Sequence, residues 1–306
     1  MKFQFLDLQN ILSYYKIEHI LKEQGISFMS QLIQLKQRIK AIQVIKKITH
    51  AMRLISMSSR LKMIKNADAL KNFRDEITPL LCSLESVYPI LDKNQAYHKN
   101  IWILIASEKG LCGNFNTSIF NYFQTQLQQI SINDYNFIAV GKQAADFLNK
   151  QGIPITARYD KLSPNQLEKT ATLLYEYLLE HKQSYNTVTC FYNQSKTFFM
   201  QEPHKYQLLP LQPQASCTIN DTINLDDYDW VQPPAEVILC IFQSLLKLNV
   251  LFVLSQSMIA EQSARFLSMD SSTRNAENLL KKMQLEYNKI RQAKITRELT
   301  ELISSF

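Results

Sequence analysis

With 306 residues, 46% of them hydrophobic and 20% charged, the chain is long enough for one large or two ordinary domains and has the charge fraction expected of a soluble globular protein. Its five cysteines, Cys82, Cys112, Cys190, Cys217 and Cys240, form no Cys-x-x-Cys pair and no Cys/His cluster at metal spacing, so a reducing compartment and no zinc site are expected. The net charge of +7 is concentrated: residues 30–75 carry eleven basic side chains against Asp68 and Asp75, and the remainder is slightly acidic.

Residues 1–28 carry no arginine and include Asp7, Glu18 and Glu23. They match neither an organellar transit peptide nor a secretory signal, so a cytosolic chain is expected. From residue 30 to Pro79 there is neither glycine nor proline, and Leu32, Leu35, Ile39, Ile42, Ile45, Ile48, Met52 and Ile55 recur at spacings of three and four. That is a coiled-coil seam with one slip. A continuous helix here would be about 70 Å long at ~1.5 Å per residue.

Residues 100–212 alternate differently. "NIWILIAS" (100–107), "YNFIAV" (135–140), "IPITARY" (153–159) and "NTVTCFYN" (186–193) read as strands. Helical segments lie between them, at 117–130, at "KQAADFLNKQ" and from Ser163 to about Lys182, with Ser163 as cap and Pro164 at the first position. Strand-helix alternation predicts a small α/β domain on a largely parallel sheet. Four of the five glycines, Gly110, Gly113, Gly141 and Gly152, fall in this region.

The acidic stretch "NDTINLDDYDW" (220–230) lacks calcium-loop spacing and reads as a solvated connection. No proline follows Pro234, so residues 235–306 read as a second rod of about 100 Å at the same helical rise. Its regular seam is Phe266, Met269, Thr273, Ala276, Leu280, Met283, Tyr287 and Ile290. "VILCIFQSLLKLNVLFVL" (237–254) reaches membrane-span length, yet Lys247 near its centre favours a buried core helix. Two rods flanking a compact middle point to an intramolecular antiparallel coiled coil, with dimerisation through either rod as the alternative.

Chemistry finds little support. "ASEKGLCGNFN" (106–116) is a glycine-bearing strand-to-helix turn, but it is neither G-x-G-x-x-G nor a Gly-Lys-Ser/Thr phosphate loop and reads as a tight turn. His19, His50, His98, His181 and His204 are dispersed, with no nucleophile placed beside them. A dehydrogenase-like enzyme is therefore the weakest reading, and no cofactor or metal is expected. The basic rod implies an acidic partner, and a basic coiled-coil nucleic-acid-binding protein is the alternative. With only Phe73 aromatic in that rod, single-strand stacking is disfavoured.

Three ordered segments resemble the gamma subunit of F-type ATP synthases, the central rotor stalk. "LKQRIKAIQVIKKITHAMRLISMSSRLK" (35–62) resembles the opening helix with its I-x-x-I-x-x-x-x-K-I-T-x-A-M run, and "ASEKGLCGNFN" is similar to the G-L-C-G-x-F/L-N turn. Residues 261–304, from "EQSARFLSM" to "YNKIRQAKITRELTELIS", match the E-x-x-A/S-R and Y-N-K/R-x-R-Q-A-x-I-T-x-E-L segments.

This resemblance implies a fold of α/β class plus long helices, with an antiparallel coiled coil of the end helices flanking a Rossmann-like α/β domain. It divides the chain into an extension at 1–28, a helix at 29–85, a domain at 99–215 and a helix at 235–306. It implies a non-catalytic rotor of a proton-driven ATP synthase, standing in a ring of three alpha and three beta subunits, with the α/β domain against the epsilon subunit and the c-subunit ring. No nucleic acid is involved, and the membrane is reached only through the complex. Partner contacts carried over are Met52, Arg291 and Gln292, with Arg265, Thr296 and Glu298 matching further motif positions. Met29-Ser30 reads as an initiator, and "SMSSR" (56–60) stands where the family usually has small residues followed by lysine. The missing transit peptide favours a bacterial inner membrane, cytoplasmic side, over a mitochondrial one, and no cysteine-bearing plastid insert is visible.

Overall fold

The computed structural model describes the backbone at residues 4–87, 99–181, 185–210 and 233–304, with side chains over 30–77 and 236–304 of the two end helices. The acidic stretch 220–230 and the side chains of Cys82 and Cys217 lie outside the described residues. The elements in order are α1 (Gln4–Val87), β1 (Asn100–Ile105), α2 (Phe115–Leu127), β2 (Tyr135–Val140), α3 (Lys142–Lys150), β3 (Ile155–Tyr159), α4 (Leu167–Glu180), β4 (Val188–Ser195), β5 (Gln201–Leu209) and α5 (Pro234–Ser304). They form two compact units, one of residues 52–269 and one of residues 1–51 with 270–306.

The larger unit is built on a five-stranded sheet of order β3-β2-β1-β4-β5. β1 to β4 run parallel, and β5 is antiparallel to β4. β1 is apolar from Ile101 to Ile105 because both of its faces are covered. Ile101, Ile103 and Ile105 point into a core shared with α4, Met63 and Ala67 of α1, and Leu246, Val250, Val253 and Leu254 of α5. Trp102, Leu104 and Ala106 point to the other face, against Ile119 and Phe123 of α2 and Ala144, Ala145 and Leu148 of α3. The apolar stretch 237–254 is thus a core helix, with Lys247 exposed at its edge.

In this unit two details depart from the sequence expectation. α4 starts at Leu167, because the Ser163 carbonyl accepts the Gln166 amide (3.0 Å) in a separate turn and Ser163 caps nothing. β5 was not expected. With Pro203, Glu202, His204 and Lys205 it lacks clean alternation, as suits an edge strand guarded by charge and proline.

In the smaller unit α1 and α5 pair antiparallel within the chain. The Thr273 hydroxyl donates to Thr49 Oγ1 (2.9 Å), and Lys46 meets Glu277 (2.9 Å), so numbers fall on one helix as they rise on the other. That decides the pairing left open above. The α5 seam holds as read, with Thr273, Ala276, Leu280 and Met283 buried.

The α1 seam is corrected. Ile45, Ile48 and Ile55 are 51%, 53% and 65% exposed. The inward positions are Leu35, Ile39, Ile42, Lys46, Thr49, Arg53, Ser56, Arg60, Met63, Ala67, Leu70 and Arg74, each buried or partly buried. This is an uninterrupted heptad with no slip. It was hidden because half of its members are polar or basic, while isoleucines lie outside.

The buried threonine pair supplies a test of register. Thr49→Val or Thr273→Val alone breaks this hydroxyl–hydroxyl bond while Thr49 also donates to the Lys46 carbonyl (3.1 Å), and each is expected to cost ~0.5–1.5 kcal/mol, whereas the double variant, a pair of apolar groups of the same shape, costs less than the sum. A double-mutant cycle on urea unfolding measures this, and simple additivity of the two losses would show that the pair contributes nothing.

Candidate functional site

The glycine turn after β1 is a closed corner. Leu111 (φ 65) and Gly113 (φ 61) reverse the chain through the left-handed region. Asn116 Oδ1 accepts the Ser107 amide (3.1 Å), Asn116 Nδ2 donates to Ser107 Oγ (2.7 Å), and the Cys112 carbonyl accepts the Phe115 amide (3.2 Å). The Glu108 carboxylate accepts the amides of Lys142 (3.1 Å) and Lys161 (2.9 Å), pinning the corner to α3 and to the end of β3. The Ser107 and Phe115 amides are therefore engaged within the corner, which reads as a tight turn.

This corner is seated on α5. Cys112 and Phe115 pack with Ala260 and Ala264, and Gly113 lies where an added Cβ would be 3.7 Å from Ser268 Cβ. Asn193 Nδ2 donates to the Phe115 carbonyl (2.6 Å), tying in β4. Burial pushes the Cys112 thiol up, so it acts as a packing group with a weak hydrogen bond to Ser107 Oγ (3.6 Å).

Arg265 closes the seat. Its guanidinium donates to the Lys109 carbonyl (3.1 Å) and pairs with Glu261 one turn earlier (2.6 Å). Glu261 is only 4% exposed, and burial pushes its carboxyl up more than Arg265 pulls it down. Sequence reading named Arg265 without seeing this internal role. The signal was the i,i+4 spacing of Glu261 and Arg265, whose burial no sequence rule discloses.

The other positions separate by unit. Arg291, Gln292, Thr296 and Glu298 are exposed on α5 of the smaller unit, whereas Met52, partly buried, and Arg265 belong to the larger. Thr296 Oγ1 donates to the Gln292 carbonyl (3.0 Å), and Lys294 pairs with Glu298 (3.4 Å). Arg291 and Gln292 therefore present side chains beside Ile295, Leu299, Leu302 and Ile303, all exposed. Among the described residues no His/Cys/Asp/Glu group is arranged to hold a metal ion.

The family described as ATP synthase matches residues 31–306. The chain belongs to the ATP synthase gamma-chain family. The gamma chain of Pelagibacter ubique is 28% identical over 90% of this chain and 98% of its own length. A central-stalk and c-ring structure of the Tetrahymena thermophila mitochondrial ATP synthase superposes with TM-score 0.56 at 22% identity, covering 73% of this chain and 98% of that one. A chain of the Euglena gracilis mitochondrial ATP synthase gives TM-score 0.62 at 15% identity, covering 90% and 93%. At such identities the structures speak to the fold, which they share.

As a member of the gamma-chain family the protein is a non-catalytic central-stalk subunit of a membrane-associated ATP synthase complex. The missing nucleotide motif follows, since it has no active site of its own. The comparisons support this reading and not the nucleic-acid-binding alternative.

Proposed function

We propose that this chain turns inside a ring of three alpha and three beta subunits, with its α/β unit against the epsilon subunit and the c-subunit ring, at the cytoplasmic side of a bacterial inner membrane. The observation that carries the reading is the dressing of α1. Lys46, Arg53 and Arg60 are drawn into the seam, while Ile33, Val44, Ile45, Ile48, Leu54 and Ile55 stand exposed among Lys36, Arg38, Lys40 and Lys47. A helix so apolar outside its own seam is made for a sleeve.

The physics suits rotation. Exposed ion pairs are individually worth about 0–1 kcal/mol, so a basic surface among acidic loops is attracted at every angle and locked at none. By touching three sites differently the stalk biases their conformations, coupling binding free energies through a moving element. Met52, Arg291, Gln292, Thr296 and Glu298 are the assigned contacts with the hexamer. Arg265 is a further assigned contact, and its guanidinium is also held by Glu261 and the Lys109 carbonyl of the glycine corner.

Co-expression with alpha and beta subunits tests the reading: a complex that hydrolyses ATP and rotates only with this chain present is expected. Failure to co-purify would sink it. Within that complex, Arg291→Ala and Gln292→Ala are expected to lower turnover severalfold, about 1 kcal/mol in barrier terms, without moving the unfolding midpoint of the isolated chain. Parent-like turnover in both variants counts against the contact assignment.

A further inference from the structure

Arg60, the last residue of "SMSSR", is given work by the structure that a lysine cannot perform. Arg60 Nε donates to Ser263 Oγ (2.8 Å), across 203 positions of sequence. Ser263 in turn donates to the Ile259 carbonyl (2.8 Å), which leaves its lone pairs toward Arg60. The guanidinium lies over the Phe198 ring at 4.6 Å. Phe198 meets Phe266 of α5 edge-on, 5.3 Å between centroids at 67°.

Phe198 sits in the turn joining β4 to β5. That turn is stiffened by its own bonds, Lys196 amide to Met200 carbonyl (3.1 Å), Met200 amide to Thr197 Oγ1 (3.2 Å) and Gln201 Nε2 to the Phe198 carbonyl (3.1 Å). β5 has a neighbour on one side only, so this turn is the free corner of the sheet. The apolar core already joins sheet to helices through Met63, Ala67 and Leu246–Met258. Arg60, one turn before Met63, adds a directional brace at that corner. A planar guanidinium can donate along its edge while its face covers a ring, whereas an ammonium offers only a point charge.

We propose that Arg60 is a positioning residue for energy coupling: it braces the β4–β5 turn against α1 and α5 at once, so that torque delivered to the sheet passes into the helices with little angular slack. The inference rests on the stalk reading above. It concerns mechanical coupling in this unit and leaves folding to the core.

The test uses the assembled synthase in sealed membrane vesicles, with ATP hydrolysis and ATP-driven proton uptake measured on the same preparation. For Arg60→Ala, hydrolysis within twofold of the parent and protons taken up per ATP reduced at least threefold are expected. Arg60→Lys is expected to recover less than half of that loss. An unchanged ratio in Arg60→Ala, or full recovery in Arg60→Lys, overturns the proposal. Should Arg60→Ala fail to assemble, Phe198→Leu, with Arg60 intact, is expected to show the same lowered ratio, and a parent ratio there overturns it equally. If the parent chain itself does not assemble with alpha and beta subunits, the stalk reading fails instead, so the two failures are distinguishable.

Discussion

Gly141→Ala is expected to destabilise the α/β unit by about 3–5 kcal/mol, combining backbone strain with overpacking. Gly141 joins β2 to α3 at φ 89, ψ 145, a region essentially closed to side-chain-bearing residues. An added Cβ would stand 2.2 Å from the Ala106 carbonyl oxygen and 3.1 Å from its carbon. Neither side can yield. The Ala106 amide is bonded to the Val140 carbonyl (3.0 Å), and the Gly141 amide to the Tyr159 carbonyl (2.8 Å), so both belong to the parallel ladder. Gly152 is the control: it too has positive φ (69), but nothing lies within 4 Å of its added Cβ. Gly152→Ala should therefore cost only ~1–2 kcal/mol, the left-handed penalty by itself. Urea unfolding of the whole chain reads both, and equal midpoints for the two variants would refute the close-approach argument.

The second large effect lies at the Glu261–Arg265 pair. Arg265→Ala removes the cation paired with a nearly inaccessible carboxylate and frees the Lys109 carbonyl of the glycine corner. Breaking a buried pair on one side typically costs ~3–5 kcal/mol, because the remaining charge is left uncompensated. The pH dependence gives an independent check. Glu261 is held above its ordinary value of 4.5, so the native chain binds that proton more tightly than the unfolded one. Its contribution to stability is complete below the ordinary value and fades as pH rises through the raised one. Without Arg265 the raised value moves further up, and the fading moves with it to higher pH. Glu261→Gln should abolish that part of the slope. Identical slopes in the parent, Arg265→Ala and Glu261→Gln would show that the carboxyl does not titrate differently in the folded state.

Both effects arise from residues that sequence reading had met and valued differently. Gly141 was one glycine among four in the middle of the chain. Its importance comes from Ala106, 35 positions earlier, brought opposite by the parallel pairing of β1 with β2. Arg265 was carried over as a partner contact from a motif, yet the nearest claims on its guanidinium are Glu261 and Lys109.

What the sequence determined by itself is whatever depends on local periodicity or on continuous apolar runs. β2 was read to the residue and β1 nearly so, because strands covered on both faces show as nearly continuous apolar runs, Ile101–Ile105 and Phe137–Val140. The α5 seam was legible because Thr273, Ala276, Leu280 and Met283 are small or apolar and face inward. Tertiary structure alone decided the α1 seam. Apolar periodicity cannot distinguish isoleucines packed on the chain's own helix from isoleucines awaiting another surface, and on α1 the second kind prevails at Ile45, Ile48 and Ile55. It also decided β5, whose charged edge carries no alternation, and the meeting of Arg60 with Ser263 and Phe198. Those contacts join three segments far apart in sequence, and no local pattern carries information about which distant side chain completes a hydrogen bond or covers a ring.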